Sequence, residues 1–418
     1  VTAAEVVGGK PEAAQSGEES GSLLARMVAN IRTGNLGIVP IVGGQLFIVI
    51  FFGLTATNFF TAVNFGNIII QMAGTTMLAF GVVFVLLLGE IDLSIGYVAG
   101  IGALTVAELQ LPGSGHQISG LLAIPIAIAV CALIGLLQGS IVAFVGVPSF
   151  VVTLAGYLVW QGVILGRLEV PGSIIIQDRW INYTANYYFS PLAGWLVAAS
   201  LTGLYVASVL VPLFLSARRS PITAHMWLRA LAKVAGVAIA SFGTVAICNH
   251  GVVETRRLGL PLAGVLMVLV LIVLTFLAKR TTFGRHVYAV GGNAEAARRA
   301  GINVARIRVI VFMISGATAA LGGIILAAFV NSVALTFPPG TLLLNSIAAA
   351  VIGGVSLFGG RGEVRGALLG ALVISTVANG LDTAGYSDGT IYIVTGLILL
   401  FAVTLDTVAR RLQVRSGR

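Results

Sequence analysis

Uninterrupted apolar runs of bilayer length constrain this chain more than any other feature. Residues 262–278, LAGVLMVLVLIVLTFLA, carry no charge, and comparable runs recur along almost the whole sequence. A helix needs roughly 20 predominantly apolar residues to cross about 30 Å of hydrocarbon. The runs lack the alternation of outer-membrane strands, so they are read as helices, which satisfy their own backbone in lipid. Composition agrees: 57% of residues are hydrophobic and only 9% charged, whereas soluble domains are near one quarter charged. The expectation is an all-α, polytopic integral membrane bundle of 10 to 12 transmembrane helices. Twelve spans are placed near 37–56, 66–88, 93–111, 118–146, 150–168, 190–215, 233–250, 259–278, 305–330, 341–359, 364–381 and 388–406. Only GEIDLS separates the second from the third, so one of these is expected to be broken or re-entrant.

Charge orients the bundle. With both termini cytoplasmic, all of the 24 Lys and Arg except Arg167, Arg179, Arg256 and Arg257 fall on the inner side, as the positive-inside rule requires. The net charge of +9 then reflects topology and contact with anionic lipid, and calls for no nucleic-acid partner. Three regions follow: a polar cytoplasmic tail over 1–34, the membrane domain over 35–408, and a basic cytoplasmic tail over 409–418. The first tail has no apolar run and reads as neither a signal peptide nor a span.

Redox and metal chemistry find little support. Cys131 and Cys248 lie inside apolar runs with no CxxC spacing, and His116, His225, His250 and His286 are scattered near span ends; no metal site is expected. No nucleophile with its base, paired carboxylates or HExxH motif suggests an intramembrane enzyme. Glycine is abundant, and Gly96/Gly100 and Gly366/Gly370 have the spacing that lets helices approach closely. Such a bundle suits transport.

The source of energy is the next question. Ion-coupled carriers bury ionisable groups at mid-membrane, yet only Glu90, Asp92 and Glu108 among the acids approach membrane depth, all at span ends. The chain also has no GxxxxGK[ST] phosphate loop, so a separate motor subunit would have to dock on the cytoplasmic face. The largest polar loop there, residues 279–304, contains NAEAARRAG. Asn293 can cap a helix, Glu295 sits at its positive end, Arg298 and Arg299 sit at its negative end, and Gly301 can turn the chain just beyond. A helix of about two turns is unstable alone in water and must be docked.

Asp92 and Ser94 suit capping of the third span, and, with Glu90, Asn331 and Asn379, they are also candidates for a helix break or a polar pathway. The aromatic stretch QDRWINYTANYYFSPLAGW, residues 177–195, is read as a membrane-edge belt, or alternatively as a platform for a partner.

The segment Glu295-Ala296-Ala297 followed by Gly301 resembles the EAA-type coupling loop of ABC importer permeases. Wider similarity lies in GEIDLSIG (89–96), VPSFVVTLAG (147–156), residues 281–306 and AAAVIGGVSLFGGRGEVRGALLGA (348–371). From about residue 60 onward the chain is similar to permeases of the ribose, galactose and xylose ABC importer family, most of all to its xylose branch. An additional helical pair between 190 and 250 departs from a ten-helix pattern. The resemblance implies a bacterial inner-membrane permease subunit that forms a homodimer and passes a monosaccharide such as xylose. It implies an ABC ATPase subunit that carries ATP and Mg, none of which this chain binds, and an extracytoplasmic sugar-binding protein. On that scheme Asn293, Glu295, Ala296, Ala297, Arg298, Arg299 and Gly301 form the ATPase-coupling element, and this subunit is not itself an enzyme. The other class of reading is an ion-coupled secondary carrier, or a facilitator, of a polyol or nucleoside.

Overall fold

In the computed structural model, residues 39–112, 115, 117–217, 224–250, 259–335 and 339–415 are described. Several helices begin where a short polar side chain accepts an orphan backbone N–H group, at Thr61, Asp178, Thr281, Asn293 and Asn303. Helix α1 spans Val39–Thr55, and Thr61 then accepts from the Asn64 amide to open α2, Ala62–Leu87. After the non-helical stretch 88–94 comes α3, Ile95–Leu109; α4, Gly120–Ser140, runs into a π-helical turn, Ile141–Val145, and α5 spans Ser149–Leu168. A strand β1, Ser173–Ile175, leads to the short α6, Arg179–Asn186, capped by Asp178 through the amides of Trp180 and Ile181. The hairpin α7, Pro191–Ala217, and α8, Ala224–Asn249, precedes α9, Leu262–Arg280. The polar loop holds α10, Thr282–Gly292, and α11, Ala294–Arg299. The chain closes with α12, Val304–Val330; β2, Ser332–Ala334; α13, Pro339–Ile352; α14, Val364–Thr383; and α15, Asp388–Arg415.

Each expected apolar run lies on a helix. Among the described residues, eight helices (α2, α4 with its π turn, α5, α7, α8, α9, α12 and α14) are long and apolar enough to cross a membrane, while α1, α3 and α13 are shorter apolar helices and α15 carries a shorter apolar stretch, Asp388–Phe401. Several boundaries differ from expectation. The run expected to span 341–359 leaves the helix at Ile352, because Gly354, Gly359, Gly360 and Gly362 all take positive φ, a backbone that continues no right-handed helix. Helix α8 starts at Ala224, ahead of the expected 233; its first turns carry Arg229 and Lys233, whose long stems can lie along apolar surface while their charges reach water. The basic tail expected from 409 continues α15 as far as Arg415. The expected break between 88 and 93 is present. With 15 residues, α3 is only about 22 Å long at 1.5 Å per residue, less than the hydrocarbon thickness.

Helices α2 and α12 form the middle of the bundle. Phe80, Phe84 and Met77 of α2 and Phe312, Ile324 and Ile325 of α12 are fully enclosed. Helix α12 packs most extensively on α4, α2 and α3, and glycine makes this possible. A Cβ on Gly135 of α4 would fall within 3.0 Å of the Met313 Cα, and one on Gly139 would lie 3.0 Å from the Val309 Cα. Backbones therefore touch where lipid supplies no hydrophobic drive. Gly366 and Gly370 of the expected spacing pack in the same way, against Gly353, just past the end of α13, and Ala349 of α13. A smaller cluster of Phe52, Phe59, Ile68, Val377 and Leu381 joins α1, α2 and α14. The α7–α8 hairpin packs chiefly on itself, with Thr202 and Ser241 hydroxyls 2.7 Å apart across it; it is the additional pair expected between 190 and 250, placed on the periphery.

Two strands are an addition to the all-α expectation. β1 and β2 pair antiparallel, with Ile174 opposite Val333. They adjoin the C-terminal end of α12, whereas α11 adjoins its N-terminal end. Helix α12 has 27 residues, about 40 Å at 1.5 Å per residue, longer than a hydrocarbon layer of about 30 Å, and the strands and α11 adjoin its opposite ends.

Candidate functional site

The helix expected in the polar loop is present and capped at both ends. Asn293 Oδ1 accepts the Ala296 amide at 2.9 Å, so its side chain fills the N-cap. At the other end Gly301 takes φ +84°. The Gly301 amide bonds the Arg298 carbonyl and the Ile302 amide bonds the Ala297 carbonyl, both at 3.0 Å, which is the paired arrangement of a Schellman C-cap. Glu295 meets Arg299 at 3.2 Å and Arg298 at 3.5 Å one turn on. Ala297 is buried, Ala294 is half-buried against the core, and Glu295, Ala296, Arg298 and Arg299 face outward, so α11 rests on two small residues and presents the rest.

The preceding α10 went unforeseen as a helix. Its sequence TFGRHVYAVGG is rich in glycine and β-branched residues, which form helix poorly in isolation. Thr281 caps it through the Gly284 amide at 3.2 Å, and Val287 and Val290 are buried beneath it. Packing, absent from local propensity, holds it.

Three segments converge under this loop. The Gly360 amide donates to the Leu87 carbonyl at 2.9 Å, joining the α13–α14 connection to the end of α2. Gly291, the penultimate residue of α10, lies against both: a Cβ there would sit 2.8 Å from Gly360 N and closer still to the Leu87 oxygen. Tyr288 Oη donates to the Gly362 carbonyl at 2.8 Å, and Lys279 pairs with Glu363, which also binds Arg365 at 2.6 Å. Burial lifts the Glu363 carboxyl, but hydrogen bonds from Lys279 and Arg365, with their charges, outweigh it and hold the acid below its ordinary value. Burial, with the Glu363 charge beside it, raises the Tyr288 phenol, and Arg365 offsets part of the rise.

The acids of GEIDLS are also fixed. Glu90 forms an ion pair with Arg308 at 3.0 Å, tying the α2–α3 break to the first turns of α12. Asp92 is buried and accepts from the Ser94 amide at 3.0 Å, the Ser94 hydroxyl at 2.7 Å and the Ser315 hydroxyl at 2.9 Å. Ser94 stands at the N-cap of α3 but makes no side-chain cap bond. Its hydroxyl is committed to Asp92, with Gln138 Oε1 at 3.1 Å. Asp92 thus shapes the entry to α3 and fastens it to α12.

The remaining candidates lie elsewhere. Asn331 ends α12 in the left-handed region, φ 56°, where Asn is tolerated, and its Oδ1 accepts from Asn186 at 3.2 Å. Asn379 is buried on α14, and its Oδ1 has no hydrogen-bond partner among the described residues. Near it, Gln45 of α1 donates to Thr376 at 3.0 Å, so neutral polar groups gather between α1 and α14. At the strand end a cleft of about 460 Å³ is lined in part by Glu108, Arg167, Ser173 and Gln177, with Arg167 paired to Glu108 at 2.7 Å. In the aromatic stretch Trp180, Tyr183, Tyr187 and Phe189 contact one another in sequence, and Trp195 stacks on Phe242 of α8. The side chain of His225 lies outside the described residues, as does His116. Both cysteines are buried and unpaired, and no cluster of metal-ligating side chains occurs among the described residues.

Comparison with known proteins gives this geometry its context. The family model described as branched-chain amino acid transport system / permease component matches residues 64–403. The chain belongs to this permease family. The xylose transport system permease protein XylH of Escherichia coli K12 is 32% identical over 92% of this chain and 95% of its own length. XylH of Haemophilus influenzae is 32% identical over 90% of this chain and 98% of its own. The ribose import permease protein RbsC of Escherichia coli K12 is 31% identical over 84% of this chain and 87% of its own. No solved structure matches. The permease is thus XylH-like in sequence, and the matched region contains the capped helix, the GEIDLS break and the three-segment junction.

Proposed function

We propose that this permease is the membrane subunit of an ATP-driven importer that passes a monosaccharide, xylose or a related pentose, across the bacterial cytoplasmic membrane. Both termini are cytoplasmic, and 10 to 12 of the apolar helices make up its crossings. Two copies form the pathway, each engaged from inside by an ABC ATPase subunit and from outside by an extracytoplasmic sugar-binding protein. Helix α11 is the coupling element; ATP and Mg belong to the ATPase, and this subunit carries out no covalent chemistry.

One observation carries the reading: a six-residue helix, capped at both ends, is held against the bundle by Ala294 and Ala297 and turns its other side chains outward. A helix so short does not survive in water unaided, and the molecule invests an N-cap and a Schellman turn in it. The similarity to xylose and ribose permeases supplies the substrate class. Buried neutral groups such as Asn379, Thr376 and Gln45 are suited to hydroxyls, which they meet without moving charge. Among the described residues, the ion pairs lie at helix ends and in loops, whereas a proton or sodium carrier is expected to bury ionisable groups at mid-membrane.

The test reconstitutes the chain in lipid alone and with its ATPase. Sugar-loaded binding protein is expected to stimulate hydrolysis only in the full complex. Uptake by the chain alone under an ion gradient would establish a secondary carrier instead.

A further inference from the structure

We propose that the α13–α14 connection, residues 353–363, is a second docking element for the same ATPase, with Phe358 as its apolar knob; this deepens the function proposed above and rests on it. Phe358 is 75% exposed, and the loop around it is firmly anchored. Val355 and Ser356 are almost completely buried, and the Ser356 hydroxyl accepts the Phe358 amide at 3.1 Å. The Ser356 amide in turn donates to the Arg361 carbonyl at 2.9 Å, closing a tight turn that holds the ring outside it.

This knob stands beside the coupling helix. A Cβ on Gly359 would come within 2.8 Å of the Gly291 carbonyl oxygen, and one on Gly360 within 3.0 Å of the Gly292 Cα. Gly291 and Gly292 immediately precede Asn293, the N-cap of α11. Backbone therefore packs on backbone, with no side chain between, and the two elements form one packed unit. Whatever seats on α11 meets the residues next to it.

Position also decides between protein and lipid. A lipid-facing phenylalanine belongs on the flank of an apolar helix, whereas Phe358 lies among glycines, beside exposed Arg361 and near α11, whose Glu295, Arg298 and Arg299 are each more than half exposed. An exposed aromatic within a polar, cationic surround has the form of an interface anchor: the ring fills a socket and the arginines form the rim. The complementary face of the ATPase is an apolar socket edged by acidic side chains.

The experiment uses the full chain in nanodiscs with its ATPase. Both native cysteines are buried, so Phe358→Cys adds a reactive thiol over a low background. It should react with an aqueous thiol reagent in the chain alone and be protected when the ATPase is bound. Phe358→Ala should weaken ATPase retention at least tenfold, Phe358→Leu should restore most of it, and both should match the parent in monodispersity and melting temperature. If the thiol of the Phe358→Cys variant is already unreactive without the ATPase, the ring lies in lipid and the proposal is overturned; equal labelling with and without the ATPase overturns it too. Ala296→Trp, which obstructs α11, separates the two levels. If it releases the ATPase and Phe358→Ala does not, the loop has no docking role while the importer reading stands; if neither releases it, the coupling assignment of α11 itself fails.

Discussion

A single backbone angle governs how α11 ends. Gly301 sits at φ +84°, and two backbone hydrogen bonds, from its own amide and that of Ile302, depend on that turn. A side chain there meets no neighbour, so any effect of substitution is conformational: a left-handed backbone costs a residue with a Cβ about 1–2 kcal/mol. Gly301→Ala should therefore loosen the C-cap without disturbing the bundle. Hydrogen exchange at residues 297–302 is expected to rise several-fold, and transport per ATP hydrolysed to fall, with the melting temperature of the membrane domain unchanged. Gly301→Asn, which tolerates the left-handed region better, should lie between. Unaltered exchange in Gly301→Ala would show that the turn does not hold the helix. Asp92 makes the contrasting case, because its carboxylate is held by two hydroxyls and an amide, and its identity matters for packing two helices together.

At the level of elements, sequence and structure agree where local chemistry decides and part where tertiary contact does. Helix α11 was legible because Asn293, Glu295, Arg298, Arg299 and Gly301 each meet a requirement set within the helix itself. Helix α10 was not, since Val287 and Val290 are buried by tertiary packing in the core, which local propensity does not carry. The early end of α13 had a signal in the run GGVSLFGGRG, outweighed by the hydrophobicity around it. Pairing of β1 with β2 joins residues about 160 positions apart, beyond any local pattern. Ion pairs add a pH-dependent clamp between these elements. Glu363 titrates below its ordinary 4.5 because Lys279 and Arg365 hold its charged form. A lowered folded-state value means that the clamp's contribution is complete above about pH 4.5 and is lost as the pH falls through the lower folded-state value. Protection of residues 279–292 against hydrogen exchange should accordingly be flat from neutral pH down to about that point and fall below it. Glu363→Gln should abolish the acid-dependent step. Because the pair is partly exposed, high salt should weaken it at every pH. A step that persists in Glu363→Gln would assign it to another group.

For the whole molecule, the length of α12 turns two local sites into a statement about sides. One end of that helix carries α11 and the glycine junction, the other the strand pair and the Glu108–Arg167 cleft, and about 40 Å of helix separates them. On the proposed function, a motor and a sugar-delivering protein would dock at opposite ends of such a molecule. Basic residues cluster at the α11 end, as expected of a cytoplasmic face, so Ile175 of β1, which is well exposed, should face outward. Single cysteines at the two ends test this in intact cells. Ile175→Cys should react with a membrane-impermeant thiol reagent from outside, while Glu295→Cys should react only after the membrane is opened, and the buried native thiols should stay silent in both. The inverse pattern would put α11 where no ATP is available, and an ATPase-driven stroke through that helix would then be physically excluded.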